Sequence, residues 1–388
     1  MIAGRGRLSR ACSIYLFRES LLLFLLRLRC SARLLTRLGE SMPIGLRSGM
    51  VLSLLVCSAA GFAQQSAPTS EPGAAHRIYL DVVVTPKNGT PVGELRREDF
   101  TLLDNKAPQT ITSFRALGGD AAPLEVIVVV DGVNTSYHSI AFERGEIDRF
   151  LRANGGHLAY PTTLAIVTDT NTQIQNGFSK DGNSLSTAFD HYAVGLRELT
   201  RSSGFYGASD RVQISIKALQ MLAAREAARP GRKIVLWVSP GWPLLTGPHV
   251  ELGAKGQQGL FNTIVGLSTA LRQANITLYS IDPLGLEDAG SERLFYYQNF
   301  LKGIRKPSQT DLADIALQVL AMQTGGLALN SSNDVAALLQ KAMADTNAYY
   351  ELSFDPTPGE LDEYHSLEVR VAKPGLTART RTGYYAQP

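Results

Sequence analysis

Cysteine is confined to the front of this 388-residue chain, where Cys12, Cys30 and Cys57 are the full complement. The remainder therefore holds no disulfide framework, no Cys-ligated zinc and no thiol nucleophile. Basic charge is localised in the same way. Residues 1–63 carry nine Arg against Glu19 and Glu40, so the body is acidic at −4 while the whole chain is +3. An acidic body lacks the electrostatic footprint of a nucleic-acid binder. The six histidines (His76, His138, His157, His191, His249, His365) show no H-x-x-x-H or H-E-x-x-H spacing, the arrangement that places two imidazoles on one metal. No G-x-x-x-x-G-K-[ST] loop, no G-x-G-x-x-G after the first buried strand and no G-x-S-x-G elbow is present. GLSTA (266–270) falls within a helical pattern. The apolar run Met50–Ala60 is well short of the ~20 residues that span a bilayer, so no transmembrane segment is expected in the mature chain.

What is there begins with a leader. From Met42 the text reads MPIGLRSGMVLSLLVCSAAGFAQQ. Arg47 supplies a positive n-region, Met50 to Ala60 an h-region, and Gly61 and Ala63 put small residues at −3 and −1 of a cut before Gln64. The pattern predicts an export signal ending at Ala63, with a short membrane anchor as the alternative. A lipoprotein signal with Cys57 acylated is a weaker alternative, because Val56 occupies the position where a small residue is expected. Residues 1–41 are Arg- and Leu-rich and precede the signal, so the working start is expected at Met42. Export would make the protein periplasmic, outer-surface or secreted. Residues 64–76 are small and polar, as in a flexible tether.

The body changes character twice. Residues 77–118 read as a β-segment, with strands at RIYLDVVV (77–84), FTLLD (100–104) and QTITSF (109–114). Residues 119–346 alternate apolar strands with helices. LEVIVVVD (124–131), TTLAIVTD (162–169), RKIVLWVSP (232–240), ITLYSIDP (276–283) and LALN (327–330) are the strands. Helical patterns follow Asp131 and occupy 185–199, 212–228, 260–275, 311–326 and 333–346. Continuous apolar strands between helices predict an α/β doubly wound, mostly parallel sheet. Residues 347–388 return to β, with strands at 347–357, 364–373 and 376–386. The two flanking β-segments are expected to pair into a small β-sandwich-like domain with the α/β part inserted, its ends close together. Two separate β appendages are the alternative.

Several ordered segments carry a resemblance. LEVIVVVDGVNTS, PGRKIVLWVSPGWPL, QANITLYSIDPLGL, TGGLALNSSNDVAALLQKAMADTNAYYELSFDP and PGLTARTRTGYYA resemble the bacterial von Willebrand factor type A (VWFA)-related family. VVVTPKNGTPVGELRREDFTLLDNKAPQTITSF is similar to that family's N-terminal β-segment, so the likeness runs from about residue 77 to 386. It implies a Rossmann-like VWA domain and a metal-ion-dependent adhesion site whose usual first motif is D-x-S-x-S. Asp131 matches that motif and Thr135 offers an oxygen, but Val133 stands at the first Ser position. Asn134 could add an amide oxygen, and Ser209 is the stand-in from the second ligand loop. Pro240 stands where the third loop supplies an Asp. The resemblance thus implies a degenerate site, with Mg²⁺ weakly held or absent.

From the residues alone, the strand ends offer Asp131 to Ser136, Thr168 to Thr170, Ser239 to Trp242 and Asp282-Pro283. Asp131 and Thr135 suit either a hard cation or the capping of the following helix. Trp242 is a candidate exposed anchor for a partner, or else a buried lid over the rim. Asp169 and Asp282 could form a carboxylate pair for hydrolysis, or could cap a loop and open a turn. The leading expectation is a non-enzymatic module for an unknown protein or cell-surface partner. An extracytoplasmic hydrolase and a metal-independent assembly scaffold are the other two.

Overall fold

The computed structural model describes residues 77–87, 89–119, 122–193, 204–243, 252–285 and 293–387. Contacts divide the chain into Met1–Glu71 and Pro72–Pro388, and every described residue belongs to the second unit. The expected leader, the expected tether and the end of the 185–199 helix lie outside the described residues.

In chain order, the first strands are β1 (Ile78–Pro86), β2 (Phe100–Asp104), β3 (Ala107–Gln109) and β4 (Ser113–Leu117). The middle holds β5 (Leu124–Asp131), α1 (Tyr137–Leu151), β6 (His157–Val167), β7 (Thr172–Ile174), β8 (Ser179–Asp181), α2 (Gly182–Ala193) and α3 (Gly204–Glu226). It continues through β9 (Arg232–Val238), α4 (Ala254–Gln273), β10 (Ile276–Ile281), α5 (Arg293–Tyr296), α6 (Leu317–Gln323), β11 (Ala328–Leu329) and α7 (Val335–Met343). The last strands are β12 (Tyr349–Phe354), β13 (Tyr364–Val371), β14 (Leu376–Arg379) and β15 (Gly383–Tyr385).

The protein is a mixed α/β structure with a mostly parallel central sheet and flanking antiparallel sheets. The central order is β11-β10-β9-β5-β6 with every pair parallel. Alternation along β5 explains its unbroken apolar text. Ile127 and Val129 enter one core with residues of α3, α4 and α6. Val126, Val128 and Val130 enter a second core with residues of α1, α2 and α7. A strand covered on both faces has no solvent side for polar residues.

Two four-stranded antiparallel sheets, β14-β1-β12-β4 and β15-β13-β2-β3, lie outside the central one. Each joins strands from before β5 to strands from after α7, with Leu80 opposite Leu352 and Leu102 opposite Val369. They share one core, in which Leu80, Val82, Phe100, Leu352, Phe354 and Val369 are buried together. The Tyr350 hydroxyl ties the 92–95 loop to this core, accepting from Leu95 N at 3.0 Å and donating to Val92 O at 2.6 Å.

The edge of the central sheet is antiparallel, since β7 and β8 both fold back on β6. Three expectations differ from the structure. The single strand at 109–114 is instead two short ones, and β3 and β4 join different sheets. The strand at 376–386 likewise breaks, so that β14 and β15 serve opposite sheets. The helix at 311–326 is a short 3-10 turn, Leu312–Ile315, followed by α6, because Ala316 is extended at φ −62°, ψ 146°. Alternation identifies strand character but carries no mark for a corner where a strand changes sheets.

Candidate functional site

The carboxyl ends of parallel strands form the rim where ligands of open α/β sheets bind. Asp131 closes β5 at this rim and is fully buried. Its Oδ1 accepts from the backbone N–H of Val133 at 2.9 Å and of Asn134 at 3.0 Å. Its Oδ2 accepts from Asn134 Nδ2 at 2.8 Å and from the indole Nε1 of Trp237 at 3.0 Å. Asn134 Nδ2 also donates to Ser215 Oγ at 2.9 Å, and Ser215 in turn donates to Arg211 O at 2.8 Å. The carboxylate is thus the acceptor hub of an internal network reaching β9 and α3.

That geometry bears on the implied cation. Mg²⁺ takes oxygens at about 2.0–2.1 Å in near-ideal octahedral geometry, whereas four N–H groups already occupy the Asp131 oxygens. Val133 is a fully buried core residue. Ser239 spends its Oγ accepting from Gly241 N at 3.1 Å. The residue of α3 that reaches the network is Ser215, six positions beyond Ser209. The residues around Asp131 do not fit a bound cation. Among the described residues, no group of three or more His, Cys, Asp or Glu is arranged to hold a metal.

Trp242 is not an exposed anchor. It is 1% exposed and packs edge-on against Trp237, with ring centroids 5.5 Å apart at 74°. Helix α1 takes its cap from Ser136, whose Oγ accepts from Ser139 N at 3.3 Å, so neither Asp131 nor Thr135 caps it. The expected carboxylate pair does not share one environment, because Asp169 is exposed while Asp282 is 4% exposed. Asp282 opens the turn at Pro283, its Oδ1 accepting from Leu284 N at 3.0 Å.

A second acidic residue at the rim escaped the sequence reading. Glu143, on α1, is fully buried, and neither carboxyl oxygen makes a hydrogen bond of ordinary geometry among the described residues, although the Thr135 hydroxyl is close enough to act on it. Thr135 Oγ1 and Asn134 Oδ1 are likewise buried without a hydrogen bond of ordinary geometry. Burial raises the Glu143 carboxyl well above the ordinary range; the charge of Asp131 adds to this, the nearby Thr135 hydroxyl opposes it, and Asp282 adds further. Burial thus favours the neutral form of Glu143, the form that costs least away from water.

No protein-family model matches the chain, and no curated protein matches it. Solved structures give faint likenesses. The human COPII-coat protein Sec24c aligns over 71% of this chain and 46% of its own at 9% identity, TM-score 0.30. The pilus adhesin SpaC of Lactobacillus rhamnosus GG aligns over 77% and 49% at 8% identity, TM-score 0.33. The manganese-loaded TRAP protein of Plasmodium vivax aligns over 70% and 97% at 12% identity, TM-score 0.31. The chain spans about half the length of the Sec24c and SpaC chains. Likenesses this weak carry no argument about fold or role. Among the described residues, no helix is long and apolar enough to cross a membrane.

Proposed function

We propose that this chain is an exported interaction module of the von Willebrand factor type A kind. In this reading a Rossmann-like α/β body is inserted in a β-sandwich-like domain built from the N- and C-terminal strands. It engages a protein or cell-surface partner through shape and hydrogen bonding, without a metal at Asp131 and without turnover. One observation supports this above the rest: the rim carboxylate is buried and saturated by four donors. A group so engaged neither ligates a cation nor meets a substrate; it sets the shape of the loop after β5.

The test is capture of envelope material by the tagged full chain, with and without EDTA, alongside Asp131→Asn. Metal-independent capture that survives EDTA supports the reading. Capture abolished by EDTA and restored by Mg²⁺ overturns it.

A hydrolase reading has one specific observation in its favour, since a carboxyl kept neutral beside Asp131 and Asp282 resembles a general acid. Glu143 is sealed from solvent, however, and a general acid must reach the atom it protonates. Turnover in a broad hydrolase panel, lost in Glu143→Gln, would favour the enzyme.

A further inference from the structure

Positive charge gathers in one place on a body that is acidic overall. A cleft of about 740 Å³ opens between the β2–β3 turn and the 301–309 loop, with Lys106, Lys302, Arg305, Gln309, Tyr364 and Ser366 in its wall. None of its lining residues is acidic. All three cations are exposed, and their side chains form no ion pair or hydrogen bond among the described residues. Glu368 on β13 feels the charge of Lys106, but Arg370 already engages its carboxylate at 2.6 Å. By contrast, the side chains of Arg115 and Arg229 pair with Glu351 and Glu125. A cleft lined by one sign of charge focuses its field on an ion of the other sign.

Local structure fixes where these cations sit. β2 and β3 are joined by Asn105 at φ 48° and Lys106 at φ 70°, the central pair of a type I′ turn. The second place is usually glycine, because an L side chain is sterically opposed in the left-handed region. A lysine there is kept at a cost to the fold. Asn105 moors the turn to β13, its Oδ1 accepting from Ser366 N at 3.0 Å and its own N–H donating to Ser366 O at 2.8 Å. The opposite wall is moored as well. Tyr385 donates its hydroxyl to Ile304 O at 3.0 Å, and Gln309 Oε1 accepts from Arg305 N at 3.1 Å.

The lining also narrows the kind of anion. Inorganic phosphate would fill a small part of a cleft that falls in the size range of small-molecule sites. Gln309, Ser366 and Thr382 add amide and hydroxyl groups, which suit a polyhydroxy body. A nucleobase would find no ring to stack on. Tyr364 is buried, its hydroxyl donates to Thr382 O at 3.1 Å, and a Cβ on Gly303 would lie 1.9 Å from its ring. An added peptide strand is disfavoured too, because the sheet edge beside Lys106 is β3, where Pro108 has no N–H to offer.

We infer that Lys106, Lys302 and Arg305 form a binding site for a phosphorylated sugar, the phosphate held by the three cations and the sugar hydroxyls by Gln309 and Ser366. Arg305 offers a planar fork to two phosphate oxygens, and the lysines act as point charges. A free sugar phosphate and a phosphate-bearing glycan at a cell surface carry the same chemistry. No lining residue belongs to the Asp131 rim, so the cleft is testable apart from the function proposed above.

Calorimetry on the full chain with glucose 6-phosphate, glucose, inorganic phosphate and a glycan bearing phosphomonoesters tests the site, with polyglutamate as the peptide arm. Glucose 6-phosphate is expected to bind about tenfold or more tightly than phosphate, and glucose not detectably. Glycan binding at least as tight per phosphate makes the surface polymer the source; an inert glycan makes it the free sugar phosphate. Lys302→Gln and Arg305→Gln should each weaken glucose 6-phosphate about tenfold with Tm unchanged. The same charge change in Lys341→Gln, on α7 outside the cleft, should leave binding as it is. Lys106→Gly should weaken binding by a similar factor yet raise Tm, because glycine relieves the left-handed position. Lost affinity with gained stability separates a ligand contact from a structural role. Affinity unchanged in Lys302→Gln and Arg305→Gln, polyglutamate or phosphate bound as tightly as glucose 6-phosphate, or no binding of glucose 6-phosphate to the parent overturns the site.

Discussion

Trp237 donates its indole N–H to Asp131 Oδ2 at 3.0 Å across the β9–β5 pair, and both side chains are fully buried. The sheet register makes this contact possible. Trp237 lies opposite Val129, and Asp131 stands two residues further on the same face, a diagonal neighbour within reach of an aromatic side chain. The strand-end aspartate is thereby tied to the core by the largest residue of the next strand.

Trp237→Phe keeps most of the ring volume and removes the donor. It leaves a buried carboxylate oxygen short of one hydrogen bond, so stability should fall by about 1–3 kcal/mol. Urea unfolding measures the loss. A double-mutant cycle with Asp131→Asn should show non-additivity of about 0.5–3 kcal/mol, and strict additivity would mean that the hydrogen bond contributes nothing.

Trp242→Ala separates a buried lid from a surface anchor. Truncating a buried aromatic costs about 3–5 kcal/mol, whereas a surface change is usually within about 0.5 kcal/mol. The buried, edge-on packing on Trp237 requires the larger figure. A variant as stable as the parent but defective in partner capture would restore the anchor reading.

How much of this was legible follows from which residues carry two constraints at once. β5 and β9 could be read from their text because burial on both faces leaves an unmistakable apolar run. The role of Trp237 was hidden by the same run, in which an indole looks like any other core residue. Glu143 left a signal that went unread: it sits three residues after Ile140 and four before Ile147, on the buried stripe of α1. Ser215 lies likewise three after Val212 and four before Leu219. A polar residue on an apolar stripe asks for a partner, and both belong to the rim. The place of Trp242 in a rim loop sets no side-chain direction, and Ser209, implied by the resemblance as part of a ligand loop, falls inside α3.

Asp314 gives a pH test with a defined window. It is 4% exposed, and its Oδ2 accepts from Asp311 N at 2.6 Å. Burial raises its carboxyl to about 7, with that backbone bond opposing and the charge of Asp311 adding. The folded state then binds more protons than the unfolded one between about pH 4 and 7. Stability therefore falls as pH rises through that window, by at most about 1.4 kcal/mol per pH unit for one proton. Asp314→Asn keeps an acceptor and cannot ionise, so it should flatten this slope and be the more stable form at pH 7. Parallel slopes in the two proteins would show that Asp314 titrates normally.

Glu143 decides between a neutral acid and a ligand at the rim, because the two give opposite signs. Held neutral by burial and by the charge of Asp131, it binds its proton more tightly folded than unfolded. Stability should then fall as pH rises above the ordinary carboxyl range, again at up to about 1.4 kcal/mol per unit. Glu143→Gln, uncharged and of the same shape, should remove that part of the slope and be more stable than the parent at neutral pH. A carboxylate that bound a cation would do the reverse, gaining stability with pH, and only when Mg²⁺ is present. Unfolding of the parent and of Glu143→Gln from pH 4 to 8, in EDTA and in Mg²⁺, reads out both. A parent stabilised by Mg²⁺ at pH 8, with the effect lost in Glu143→Gln, would make the rim a cation site after all and move its charged ligand from β5 to α1.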